Sequence, residues 1–235
     1  RAVRNTLLFA AGSVFIQLPL SLLLALLLNR PGLRGRMFLR AVFFSPVLVG
    51  VVFVAMIFGM LFEKRTGLIN QSLHATFGWD LDFPWLQQFV IPALIIASLW
   101  QYVGFNMLYF LSALQSVRPE LVEAASIDGA GSWRRFLHVV VPQIRPVASF
   151  VVLLSIIGSF QLFELPYVLL NGTAGPDNSG LTVVMYLYQT GFDQGDLGYA
   201  SAVGWLLSTI LIGFAIMQRR LGGDAPARAR RAAPA

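Results

Sequence analysis

A carboxylate at Glu164 interrupts an otherwise apolar run, and Gln161 stands three residues before it. An ionised side chain at the centre of a bilayer costs about 2.5–3.5 kcal/mol even on permissive insertion scales, so such a group faces a cavity or a partner. A second polar set, Gln101, Tyr102 and Asn106, punctuates another apolar run. Tyr102 and Asn106 are four apart, and Gln161 and Glu164 three apart, which puts each pair on one face of a continuous helix. Amide, phenol and carboxylate groups so placed offer hydrogen bonds and one negative charge, the lining of a polar path for a hydroxyl-rich solute. The same groups, with Gln17, can also bond one helix to another.

Covalent chemistry lacks its parts. There is no G-x-x-x-x-G-K-[ST] phosphate loop and no H-E-x-x-H pair. No serine sits in a G-x-S-x-G elbow. The chain therefore reads as a non-enzyme. With no cysteine, thiolate metal sites and iron–sulfur clusters are excluded. His74 and His138 belong to connections on opposite sides of the membrane in the topology derived below. Neither a cofactor nor a metal is implied.

The elements that must carry these groups follow from composition. Apolar residues make up 57% of the 235 and charged residues 12%, and the mean hydropathy is +0.71, a balance outside that of soluble domains. The fold class is all-α, a polytopic bundle. Five runs reach the roughly 20 residues needed to cross about 30 Å of hydrocarbon: Thr6 to Leu28, Ala41 to Phe62, Val90 to Leu114, Val147 to Leu170 and Tyr199 to Met217. None alternates with period two, which argues against a β-barrel. There is no internal repeat, and residues 1–221 read as one membrane domain. The tail 222–235, GGDAPARARRAAPA, has little to bury and reads as disordered.

Arginine gives the sidedness, because short basic loops stay in the cytoplasm. The first connection carries Arg30, Arg34, Arg36 and Arg40, the third Arg118, Arg134, Arg135 and Arg145, and the tail five more. The second connection has Lys64 and Arg65 against Glu63, Asp80 and Asp82, and the fourth, Asn171 to Gly198, has no basic residue. The first, third and last therefore face inward, the other two outward, and the net charge of +6 is topological. The amino terminus then lies outside although the chain opens at Arg1 with no secretory signal, so a sixth, upstream span is expected. Trp79, Phe83, Trp85 and Phe89 read as an interfacial anchor on the outer side.

The third connection, residues 115–146, is the longest polar departure. Pro119 suits the first position of a helix, with Glu120 and Glu123 in its positively polarised first turn. Gly129 and Gly131 end that helix, Ser132 can cap a second through Trp133 and Phe136, and Pro142 and Pro146 mark re-entry into the membrane. Within this stretch stand EAA at Glu123 to Ala125, DGA at Asp128 to Ala130, Phe136, VVP at Val140 to Pro142, and Pro146.

This pattern resembles the EAA loop of permease subunits of carbohydrate-uptake ABC importers, the group that includes the maltose and glycerol-3-phosphate systems. NTLLF at Asn5 to Phe9, ALLLNR at Ala25 to Arg30, RAVFFSP at Arg40 to Pro46 and NGTAGPDNSG at Asn171 to Gly180 extend the resemblance over nearly the whole chain. Departures are mild: Val139 for isoleucine, Val141 for leucine, and Glu164 where aspartate is frequent. The resemblance implies a coupling helix with Glu123, Ala124, Ala125, Asp128, Gly129 and Gly131 at an ATPase cleft, Glu123 facing a basic residue. It implies as partners a pair of ATP-binding cassette ATPases, a second permease, and an extracytoplasmic solute-binding protein that meets the outward loops. The implied place is a prokaryotic inner membrane with the C-terminus cytoplasmic. Two other readings stand beside it: a secondary transporter or channel working without an ATPase, and a structural membrane subunit.

Overall fold

The structure, a computed structural model, describes residues 1–30, 32–78 and 82–222; Trp79, Asp80 and residues 223–235 of the tail lie outside them. Among the described residues the regular elements are helical: α1 Ala2–Leu28, α2 Arg36–Leu48, α3 Val51–Leu61, α4 Leu68–Phe77, α5 Trp85–Gln88, α6 Val90–Gln115, α7 Pro119–Ile127, α8 Ser132–Phe160, α9 Glu164–Leu169, α10 Val183–Tyr188 and α11 Leu197–Gly222. Four of them, α1, α6, α8 and the Leu197–Gln218 part of α11, are long and apolar enough to cross a membrane. The pair α2 and α3 forms a further candidate, bent by 96° at its break.

Proline explains the departures from straight helix. Pro19 and Pro142 each lack the N–H that the fourth residue before them would receive, and each ring crowds that carbonyl. In both helices the turn from six to two residues upstream opens into a wide π turn, Ser13–Gln17 and Phe136–Val140, and the helix continues. Expected as marks of re-entry, Pro142 and Pro146 therefore lie within one helix that starts at Ser132. Gly131 rather than Ser132 is its N-cap, with no side-chain capping bond.

Two expected spans are broken. Between Ala41 and Phe62 the chain turns at Val49, which is extended, and the Val49 carbonyl accepts from Gln101 Nε2 at 3.1 Å. Pro46 also withholds its donor from Val42, whose carbonyl takes the Ser45 hydroxyl at 2.9 Å instead. The Val147 to Leu170 run ends its helix at Phe160, and α9 begins only at Glu164. Pro166 cannot donate to Leu162, and the orphan Leu162 carbonyl accepts from Thr182 Oγ1 at 2.7 Å. The same oxygen accepts from the Met185 N–H and caps α10.

Two apolar clusters hold the bundle. One joins Phe9 to Val54, Ala55, Phe58 and Phe62, to Val90, Ala93, Leu94 and Ala97, and to Leu165 and Leu169. The other, toward the Arg-rich end, joins Leu18, Ala25 and Leu28 to Met107, Phe110, Leu111 and Leu114, with Ile144 and Val151. Near the opposite end Asn5 donates to the carbonyls of Asn178 and Leu181 at 2.9 and 3.1 Å, and Thr6 accepts from the Val183 N–H. These bonds pin the 171–180 turn to α1. The turn needs left-handed backbone at Asn171, Gly172, Gly175, Asp177 and Asn178. Trp85 is tied in by Nε1 to Asn70 Oδ1 at 2.7 Å and packs on Phe62, more wedge than free anchor.

Gly104 sits where the α2 backbone presses on α6; a methyl group there would overlap the Phe43 carbonyl. Gly104→Ala is expected to lower stability by about 1–3 kcal/mol. Gly213→Ala, in open space on a helix, should be neutral or slightly stabilising. Thermal unfolding of both variants in detergent checks the contrast.

Candidate functional site

Between the two apolar clusters lies a cavity of about 580 Å³. On α6 the order is legible along one helix: Val90 to Ala97 packs in one cluster, Ser98, Gln101, Tyr102, Phe105 and Asn106 line the cavity, and Met107 to Leu114 packs in the other. On α1 the same order runs Phe9, then Ser13 and Gln17, then Leu18. From α8 come Ser155, Gly158 and Ser159, and from its break Gln161, Leu162, Phe163 and Glu164. The five residues expected on a polar path, Gln101, Tyr102, Asn106, Gln161 and Glu164, all line it.

They reach it differently from the sequence expectation. Gln161 closes α8 and Glu164 opens α9, so the two do not share one helical face; the turn between them brings both to the cavity. Gln101 is 2% exposed; its amide N–H holds the Val49 carbonyl and its Oε1 has no partner. Gln17 receives the Ser98 hydroxyl at 3.4 Å, bonding α1 to α6. Gln17 and Gln101 thus tie elements together and line the cavity at once. Ser13, Ser98, Ser155 and Ser159 were missed. Their signal was present for the last pair, two hydroxyls four apart flanking Gly158, but serine in a span also bonds its own helix, as Ser159 does to the Ser155 carbonyl at 2.7 Å.

Charge in the lining is one-sided. Among the described residues, Glu164 is its one carboxylic acid, and no Lys, Arg or His joins it. An aromatic ribbon leads away from the cavity: the Phe163 ring lies 5.0 Å from Tyr167 and 5.1 Å from Tyr188, and Tyr188 lies 5.2 Å from Phe192, which is exposed. The hydrogen bond with Tyr167 holds the Tyr188 phenol above its ordinary value.

At the Arg-rich end α7 buries none of its residues. It ends in a Schellman turn, with the Ala130 N–H on the Ala125 carbonyl at 3.0 Å and the Gly129 N–H on Ser126 at 3.1 Å. Gly129 takes the left-handed φ of +78° that this turn demands. Glu123, Ala124 and Ala125 lie along α7, Asp128 is its C-cap, and Gly131 starts α8. Leu121, Ile127 and Trp133 are exposed beside them, at 47%, 86% and 70%. A shallow cleft lined by Ala125, Ala130, Arg134, Arg135 and His138 opens between α7 and α8.

The profile of the binding-protein-dependent transport system inner membrane components matches residues 17–223. The arabinooligosaccharides transport system permease protein AraP of Halalkalibacterium halodurans is 37% identical over 227 residues, covering 94% of this chain and 70% of that protein. The lactose transport system permease protein LacF of Rhizobium radiobacter is 33% identical, over 93% of this chain and 74% of that protein. The sn-glycerol-3-phosphate transport system permease protein UgpA of Yersinia pestis is 33% identical, over 92% and 72%. In structure the chain resembles one from a bacterial alginate ABC transporter in complex with alginate pentasaccharide-bound periplasmic protein, with a TM-score of 0.83 at 24% identity, over 95% of this chain and 79% of that one.

The Thr182 hydroxyl fixes the α8–α9 break from which Gln161 and Glu164 enter the cavity. Thr182→Val orphans the Leu162 carbonyl and uncaps α10, at an expected cost of about 1–3 kcal/mol. Amide exchange should speed up over 183–188 in that variant, and Thr182→Ser should restore protection.

Proposed function

The chain belongs to the family of binding-protein-dependent transport system inner membrane components, and we propose that it is the sugar-translocating permease subunit of an ATP-driven importer. The observation that carries this reading is the polar belt of Gln101, Tyr102, Asn106, Gln161 and Glu164 around a cavity midway along an apolar bundle. A bundle that had only to assemble other subunits would gain nothing from gathering these groups around open space. Hydroxyl-rich solutes match such a belt, and relatives named for arabinooligosaccharide, lactose and sn-glycerol-3-phosphate transport support that class.

The chain crosses the membrane five times, α2 and α3 together forming one span, with its Arg-rich end and C-terminus in the cytoplasm. It works beside a second permease, over two ATPase subunits and beneath a solute-binding protein. Helix α7 seats in an ATPase cleft: Glu123 meets a basic group there, Ala124 and Ala125 permit close approach, and Asp128, Gly129 and Gly131 form the turn that returns the chain to α8. ATP-driven closure moves this hook and turns the cavity from inward-facing to outward-facing. The work comes from the partner, since this chain has no phosphate loop of its own.

In the reconstituted transporter, Glu123→Arg and Gly129→Val are expected to cut uptake by roughly tenfold or more, one by charge reversal and the other by forcing a β-branched residue to positive φ. Membrane insertion should stay intact. Uptake at the normal rate by both variants would refute the docking assignment. Glu164→Ala should raise the half-saturating solute concentration by roughly tenfold, the weight of one charged hydrogen bond; unchanged uptake kinetics would remove Glu164 from the path.

A further inference from the structure

We propose that the part of the path this chain lines is selective by charge, admitting uncharged saccharides and excluding anionic solutes, with Glu164 setting the sign. This rests on the cavity being the transport path. Relatives in the family are named for both neutral and anionic solutes, so membership leaves the sign open. The lining decides it. Its other polar groups are neutral amides and hydroxyls, its one charge is the Glu164 carboxylate, and no cation stands against it.

Recognition of a phosphate or carboxylate relies on Arg or Lys, whose charge-assisted bonds offset the cost of stripping water from the anion. Among the described residues no such group lines the cavity. Donor and acceptor balance points the same way. Gln101 Oε1 is buried and unpartnered, and Glu164 can only accept. A sugar hydroxyl donates to both. An anionic head group brings only acceptors, leaves Gln101 Oε1 unpaired, and meets a like charge in a wall of low polarisability where repulsion is weakly screened.

The chain has no cysteine, so Ser155→Cys places the only thiol of these 235 residues on the cavity wall. In the assembled transporter in nanodiscs, its modification is timed with cationic trimethylammonium-ethyl, anionic sulfonatoethyl and neutral methyl methanethiosulfonate. Each rate is divided by that for free 2-mercaptoethanol. The expected result is a cation-over-anion preference of roughly tenfold at low ionic strength, shrinking in 1 M salt. Added Glu164→Gln should bring the ratio to near unity, and Glu164→Asp should restore it. Equal normalised rates for the two charged reagents, or a ratio indifferent to Glu164→Gln, would overturn the proposal while leaving the path reading intact. Silence toward all three reagents in every nucleotide state would overturn the path reading, and this proposal with it.

Discussion

Backbone polar groups cannot be left open in hydrocarbon, and that single demand shapes the central part of this protein. Where the long helices depart from regularity, a proline lies within a few residues. Pro19 and Pro142 are absorbed by a wide turn, so α1 and α8 continue. Pro46 and Pro166 stand at true breaks, and there side chains receive the freed carbonyls: Ser45 for Val42, Gln101 for Val49, Thr182 for Leu162. The difference is local. A wide turn shifts the hydrogen-bond register by one residue and keeps the axis, whereas a break needs an outside donor at the right height. At each break a side chain from elsewhere in the fold, Gln101 or Thr182, holds a carbonyl of the turn.

Those donors tie the breaks to the cavity. Gln101 holds the α2–α3 turn with its amide nitrogen and lines the cavity with the rest of its side chain. Thr182 holds the α8–α9 turn, whose residues Gln161, Phe163 and Glu164 form part of the wall. Satisfying the backbone and building a polar lining are therefore one arrangement here. The two apolar clusters fix its depth, since α1 and α6 each pack on both sides of their polar stretch. On those two helices the cavity is bounded by packing above and below.

Much of this was legible in the sequence. Length and hydropathy located α1, α6 and α11 to within a few residues, because a continuous apolar run has few other ways to satisfy its backbone. The five polar candidates were found because each is costly in lipid and so stands out singly. The breaks were not legible. Pro46 and Pro166 look no different from Pro19 and Pro142 on the page, and whether a proline bends or breaks depends on Thr182 and Gln101, which lie 16 residues and 55 residues from the prolines they serve. For the same reason Gln161 and Glu164 were assigned a shared helical face that the turn denies them, although both still arrive at the cavity. The lining serines were hidden because a hydroxyl satisfied by its own helix and one facing open space are identical in sequence.

Helix α8 is the element that connects the two regions of interest. It starts at Ser132, directly after the turn that closes α7, and its far end supplies Ser155, Gly158, Ser159 and Gln161 to the cavity. At 1.5 Å per residue it is a rod of about 43 Å. A helix interrupted at Pro142 would absorb a push on α7 in its hinge. The structure keeps it continuous through that proline, with a wide turn at Phe136–Val140, so under the proposed docking of α7 a push there would pass along one rod to the lining. The real break lies between Phe160 and Glu164, where Gln161, Leu162 and Phe163 join the cavity wall. Beyond it α9 packs on α3 through Leu165 and Leu169. Rod first and hinge last is the order a remote drive requires.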